Sequence, residues 1–291
     1  MLYFGFGSNL NAGHWQDFCR RKGFPGAMLE PVGPALALDR EITFDIYVAS
    51  SFGGAANLRP RLGQAAPGML FRINEETITA LEKKEHAPRI YRRLDLHVIR
   101  PDGTAVECLT YMADNGDHVP PHEDYAETVR EGARDHGLDT AQLDAAAAGE
   151  EPPLLAPRMF VYGTLRKDQP NAHLLDGLSF EPAKVPGLLF DHGPYPLMTL
   201  GDGVVSGEVV PLDPARLQAL DALEAALPFG APGGSYRRTV LPATLADGSV
   251  VPAQLYVVED AKGAPAVPSG DWLSLGDRRG AWAAYRAGGG G

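Results

Sequence analysis

The chain has 291 residues, 44% of them hydrophobic and 22% charged, which fits a soluble globular protein of about two domains. A formal net charge of −11 disfavours nucleic acid as a partner, and no apolar run reaches the roughly 18 residues a membrane-spanning helix needs. The opening Met1-Leu2-Tyr3-Phe4-Gly5 has no basic segment and no cleavable apolar stretch, so no secretory leader is expected. Cys19 and Cys108 are the only cysteines, too few for a disulfide framework or a cysteine metal site. A cytoplasmic protein with no cofactor is expected; oligomeric state is not legible.

Apolar and polar residues alternate over 44–48 (Phe-Asp-Ile-Tyr-Val), as in a half-buried strand. Asn74 is placed to cap a helix over 75–85, with Ile78 and Leu81 facing inward. Alternation over 94–98, the pair Asp102-Gly103 and a second apolar run over 106–112 predict a hairpin. A helix over 125–136 follows, with Gly137 past its end. Residues 141–157 pass from alanine-rich to proline-rich and read as a helix end plus linker. Asp213-Pro214 opens another helix with Leu217, Leu220 and Leu223 on one face. Runs over 239–245 and 251–258, joined by Asp247-Gly248, predict a second hairpin. The glycine tail 288–291 is expected to be disordered.

These elements occur twice. Gly68 lies 17 positions before Glu85, and Gly207 lies 17 before Glu224. Tyr91-Arg92-Arg93, Asp102-Gly103 and Tyr111 return as Tyr236-Arg237-Arg238, Asp247-Gly248 and Tyr256, each 145 positions later. Residues 2–10 are echoed by 159–166. The offset grows from 139 to 145, so six residues are inserted in the second copy, within the loop-like 227–235. The expected organisation is a domain over 1–145, a linker over 146–157 and a domain over 158–287. Each would be α+β, a small mixed or mostly antiparallel barrel with a few helices.

Glu85 and Glu224 are the foremost chemical candidates. Each follows an inward leucine by four residues and ends its helix. The negative end of a helix dipole disfavours a carboxylate there, and a raised pKa suits a general base or acid near neutrality. The alternative is a solvated surface glutamate. The turns Gly7-Ser8-Asn9-Leu10 and Gly163-Thr164-Leu165-Arg166 could present consecutive N–H groups to an anion or oxyanion, or be ordinary strand ends. Gly5-Phe6-Gly7 is not a dinucleotide fingerprint, since Leu10 stands where a third glycine belongs. Ser8 lacks an evident base and a nucleophile-elbow context. Pro120 and Pro121 separate His118 from His122, which argues against a zinc pair. Tyr91 and Tyr236 read as pocket walls or hydroxyl donors, or as half-exposed strand residues. The adjoining arginine pairs read as solvated strand ends or local ion pairs.

Together these residues resemble the gamma-glutamylcyclotransferase superfamily over nearly all the chain outside linker and tail. The first half carries Phe6-Gly7-Ser8-Asn9-Leu10, Leu81-Glu82-Lys83-Lys84-Glu85, Tyr91 and a late helix ending Gly132-Ala133-Arg134-Asp135-His136-Gly137-Leu138, similar to the gamma-glutamylcyclotransferase branch. The second carries Tyr162-Gly163-Thr164-Leu165-Arg166, Gln169-Pro170-Asn171, Tyr195-Pro196-Leu197, Leu220-Asp221-Ala222-Leu223-Glu224 and Tyr236-Arg237-Arg238. It resembles the AIG2-like branch acting on gamma-glutamylamines. Phe6 replaces the motif tyrosine, Glu82 the aspartate, and His86 and Ala225 the glycine after the glutamate, so one copy could be impaired.

The resemblance implies conversion of a gamma-glutamyl amide to 5-oxoproline and a free amine or amino acid, with no metal or organic cofactor. Glu85 and Glu224 would be catalytic. Phe6, Gly7, Ser8, Asn9, Leu10 and Tyr91, with Tyr162, Gly163, Thr164, Leu165 and Tyr236, would bind a small gamma-glutamyl substrate. Hydrolysis or acyl transfer, and a gamma-glutamyl-binding module without turnover, are the alternatives.

Overall fold

The computed structural model describes residues 1–49, 53–114, 116–225 and 236–288. The expected insertion at 227–235 and the glycine tail past 288 lie outside the described residues. The chain folds as two units: residues 1–100 with 105–155, and 101–104 with 156 onward. Each unit is a closed five-stranded barrel with helices, so the α+β expectation holds.

The first barrel contains β1 (Leu2–Gly5), β2 (Glu30–Val48), β3 (Gly53–Arg72), β4 (Arg92–Ile99) and β5 (Ala105–Met112), in the order β1-β3-β2-β4-β5. The second contains β6 (Arg158–Val161), β7 (Glu181–Asp191), β8 (Pro196–Pro211), β9 (Arg237–Leu245) and β10 (Val250–Val257), in the order β10-β6-β8-β7-β9. Each ring closes through one parallel pairing, Tyr3 beside Leu109 and Met159 beside Gln254; the other pairings are antiparallel.

The duplication extends to strand register. Arg93 pairs with Tyr111 and Arg238 with Tyr256; Ile99 pairs with Ala105 and Thr244 with Val250. Every residue of the second hairpin stands 145 positions after its counterpart. Gly103 and Gly248, with φ of 80° and 85°, make the left-handed turn step that glycine adopts without strain. Gly68 and Gly207 are also equivalent. A Cβ there would lie 2.4 Å from Phe4 Cζ or 2.6 Å from Phe160 Cζ, so both barrels need a bare backbone beneath the aromatic ring of their first strand.

Six helices are described: α1 (Ala12–Lys22), α2 (Glu75–Lys84), α3 (Glu123–Asp135), α4 (Ala141–Ala148), α5 (Pro214–Leu223) and α6 (Arg279–Ala287). The Asn74 side chain accepts from the Thr77 N–H at 2.8 Å, and Asp213 from the Ala215 N–H at 2.9 Å. These caps satisfy N–H groups that a helix start leaves open. Phe4, Phe44, Leu58 and Leu70 fill the first barrel; Phe160, Met198, Val209 and Leu255 fill the second. A further cluster, including Trp15, Phe18, Leu81 and Tyr111, lies under α1 and α2. α4 is a complete helix with Gln142, Leu143 and Ala146 buried. Gln142 Nε2 donates to Gln64 Oε1 and the Ala65 carbonyl, both at 2.8 Å.

Two sequence expectations shift. β2 and β3 extend far beyond residues 44–48, passing Pro31, Pro34, Pro60 and Pro67. Register breaks at Pro31/Gly33, Leu38/Arg40 and Phe44/Ile46 absorb the bends, as bulges do. The alternation over 94–98 does not give one buried face: Leu94 is exposed and Val98 buried. Among the described residues, β4 pairs with β2 at its far end, Leu36 beside Ile99, and its first half has no strand partner on that side. Among the described residues, no helix is long and apolar enough to cross a membrane.

Candidate active site

Glu85 and Glu224 follow α2 and α5 as C-caps with the same backbone, φ −81° and ψ 2° or 1°. Their N–H groups bond to Leu81 and Leu220 carbonyls at 2.8 and 3.0 Å. Those two leucines are buried and anchor each helix end to its unit. The next residue, His86 or Ala225, has φ of 51° or 45°. That is the left-handed region, strained for a side chain, and it turns the chain sharply after each glutamate.

Each glutamate shares a cavity with its glycine turn. In the first unit, Asn9 Nδ2 donates to Glu85 Oε1 at 2.9 Å and to the Tyr3 hydroxyl at 2.8 Å. Tyr91 donates to the Ala56 carbonyl at 2.9 Å, and Tyr125 accepts from the Ala56 N–H at 3.2 Å. Burial lifts the phenols of Tyr3 and Tyr91, and that of Tyr125 to about 12, so they stay neutral, and a neutral phenol can both donate and accept. The cavity measures about 1200 Å³. Lys84 Nζ donates to Ser8 Oγ at 2.7 Å, a partner for Ser8 that is not evident from sequence. Burial lowers the Lys84 pKa, opposed by the neighbouring Glu85 charge.

In the second unit the cavity is about 300 Å³. Tyr162 donates to the Tyr256 carbonyl at 2.9 Å, and Tyr236 to the Pro196 carbonyl at 3.1 Å. Asn171 Nδ2 holds Thr164 Oγ1 at 3.0 Å. Tyr195, Trp282 and Tyr285 add an aromatic wall, with Tyr195 and Tyr285 centroids 5.5 Å apart. Among the described residues the Glu224 carboxylate has no hydrogen-bond partner, and burial raises its pKa to about 7. Here burial is the cause of the shift.

Phe6, Gly7, Ser8, Asn9, Glu85 and Tyr91 line the first cavity; Tyr162, Gly163, Thr164, Leu165, Glu224 and Tyr236 line the second. Leu10 does not line the cavity: it is buried among Trp15 and Leu81. Its N–H is used by the Gly7 carbonyl at 3.0 Å, and the Arg166 N–H by Gly163, also at 3.0 Å. Among the described residues, that leaves the N–H groups at 7–9 and 163–165 as candidate anion donors. Arg92 and Arg93 are exposed in ion pairs with Asp114 and Glu82. Arg238, instead, is buried, with Nε 2.8 Å from Asp221 Oδ1. Tyr125, Trp282 and Tyr285 carry no sequence signal that marks them as lining a site; Tyr3, Lys84, Tyr111, Tyr195 and Tyr256 are visible within repeats or motifs without a role. Among the described residues, no three His, Cys, Asp or Glu gather to hold a metal ion.

A family model for "Gamma-glutamyl cyclotransferase, AIG2-like" matches residues 159–274, and one for the "AIG2-like family" matches 67–145. The chain is 37% identical over 123 residues to "Gamma-glutamylcyclotransferase family protein YtfP" of Escherichia coli (strain K12), covering 40% of this chain and 96% of that relative. The chain belongs to the gamma-glutamylcyclotransferase family. It carries two such domains in tandem. The mouse "Gamma-glutamylcyclotransferase" is 26% identical over 87 residues, 30% of this chain and 46% of the relative. The solution structure of ytfP from Escherichia coli has 33% identity and a TM-score of 0.32, covering 41% of this chain and 99% of its own.

Proposed function

We propose that the chain cleaves gamma-glutamyl amides by cyclisation, releasing 5-oxoproline and a free amine or amino acid. The observation that carries this reading is the pairing, in both units, of one helix-capping glutamate with one glycine turn in a single cavity. A free α-amine has a pKa of roughly 8, so at neutral pH it is mostly ammonium and not nucleophilic. Glu85 or Glu224 takes that proton. The nitrogen then attacks the γ-carbonyl carbon of its own molecule. The N–H groups at 7–9 or 163–165 receive the oxyanion. The tetrahedral intermediate collapses and the amide C–N bond breaks; the departing nitrogen takes back the proton from the glutamate, and the ring nitrogen gives up its second proton, so the amine leaves as ammonium. No water is consumed. Because attack is intramolecular, the cavity's main task is to hold a folded conformer. A pKa near 7 suits Glu224 to this exchange. The Glu85 carboxylate is instead oriented by the Asn9 amide. A cytoplasmic location is part of this reading.

One observation favours a hydrolytic second reading for the first unit: the Lys84–Ser8 contact could serve an acyl-enzyme route. Incubation with a panel of gamma-glutamyl amides separates the two. Cyclisation gives 5-oxoproline and amine in equal amounts; hydrolysis gives glutamate. Glutamate as the main product would overturn the proposal.

A further inference from the structure

Resting on the cyclotransferase reading, we propose that the first cavity selects gamma-glutamyl amides whose amine half carries two or more negative charges, and that the second does not. The two cavities receive the same helix end in different chemistry. The first is lined by Lys83 and Lys84 ahead of Glu85, and the second by Ala222 and Leu223 ahead of Glu224. Each residue of the second set stands 139 positions after its counterpart. α1 contributes Arg21 and Lys22 to the first cavity, and Arg89 joins from the segment after α2. Among the described residues, Arg286 is the one Lys or Arg lining the second cavity.

The first cavity's lining cations, Arg21, Lys22, Lys83, Lys84 and Arg89, outnumber its carboxylates, Glu82, Glu85 and Asp124. Glu82 is also engaged from outside the lining by Arg93 at 3.0 Å, as Arg21 is by Asp17 at 3.0 Å. In a chain of net charge −11, a concentration of cations around one concavity attracts anions. Lysines on a helix end are ordinarily solvated, but Lys84 is half-buried and faces the cavity. Its ammonium has three donors, and one is used on Ser8 Oγ. A partly desolvated ammonium is stabilised by an anionic partner. The remaining donors of Lys84, with Lys83, Arg89 and the α1 cations, form a surface that reads carboxylate or phosphate on the departing group.

The test uses the full chain in two backgrounds, Glu224→Gln to report the first cavity and Glu85→Gln to report the second. Each is given gamma-glutamylglutamate against gamma-glutamylglutamine, and gamma-glutamyl-O-phosphoserine against gamma-glutamylserine. The readout is the ratio of kcat/KM for 5-oxoproline within each pair. The Glu224→Gln chain should favour the more anionic member about tenfold or more. That ratio should shrink on adding Lys84→Leu, and in about 0.5 M salt, which screens exposed charges. The Glu85→Gln chain should show no such preference, and adding Leu223→Lys should create one. Leu223→Lys and the salt series keep the test decisive if Lys84→Leu fails to fold. Ratios near one in the Glu224→Gln chain would overturn this inference and leave cyclisation standing. Absence of 5-oxoproline from all four substrates would overturn both.

Discussion

A chain carrying both Glu85→Gln and Glu224→Gln should lose 5-oxoproline formation by roughly 10²–10⁴-fold, the usual contribution of a positioned general base. A carboxamide has nearly the size of a carboxylate but does not accept a proton at this pH. In the first unit its oxygen can still accept from Asn9 Nδ2, so the bond now made to Glu85 at 2.9 Å need not be lost. In the second unit the Glu224 carboxylate has no described partner to lose. Folding should therefore survive, which circular dichroism checks. Each single variant should retain the turnover of the other cavity, giving a partial loss that depends on substrate. Wild-type turnover by the double variant would remove both glutamates from the chemistry.

The second large effect is pH-dependent stability at Glu224. Its carboxyl is raised from an ordinary value of 4.5 to about 7 by burial. Between those values the folded state holds a proton that the unfolded chain has released. Stability from this group is therefore full below pH 4.5 and declines as pH rises through 7. Glu224→Gln removes the dependence. It should leave stability unchanged near pH 4 and raise it at pH 8 by about 3 kcal/mol, since a tenfold change in proton affinity is worth about 1.36 kcal/mol. Urea unfolding of variant and parent at the two pH values reads this directly. Equal effects at both would show that Glu224 titrates normally. The same ionisation should appear in catalysis. In the Glu85→Gln background, kcat/KM should fall as pH drops through about 7, because the base is then protonated.

Much of the fold was legible because its signals are local. Asn74 and Asp213 cap the helices that their side chains predict. Asp102-Gly103 and Asp247-Gly248 turn the hairpins, and the offset of 145 reappears as paired residues across both barrels. What was hidden depends on distant context. β2 and β3 run through prolines and glycines that read as breakers, and only the bulges set by their partner strands make them continuous. Leu10 belongs to the glycine-turn motif, yet the turn's own hydrogen bond uses its N–H and its side chain packs inward. Lys84 adjoins the candidate glutamate in sequence, but its hydrogen bond is to Ser8, 76 residues away. Trp282 and Tyr285 sit one turn apart on α6, a spacing that places them on one face. That this face lines the second cavity follows from chain folding alone.

The claim that the substrate's own nitrogen displaces the amine is tested most directly by running the reaction in ¹⁸O-enriched water and weighing the glutamyl-derived product. Cyclisation takes no oxygen from solvent, so the account predicts 5-oxoproline without label. Glutamate carrying one solvent oxygen, or labelled 5-oxoproline formed from it, would contradict the account.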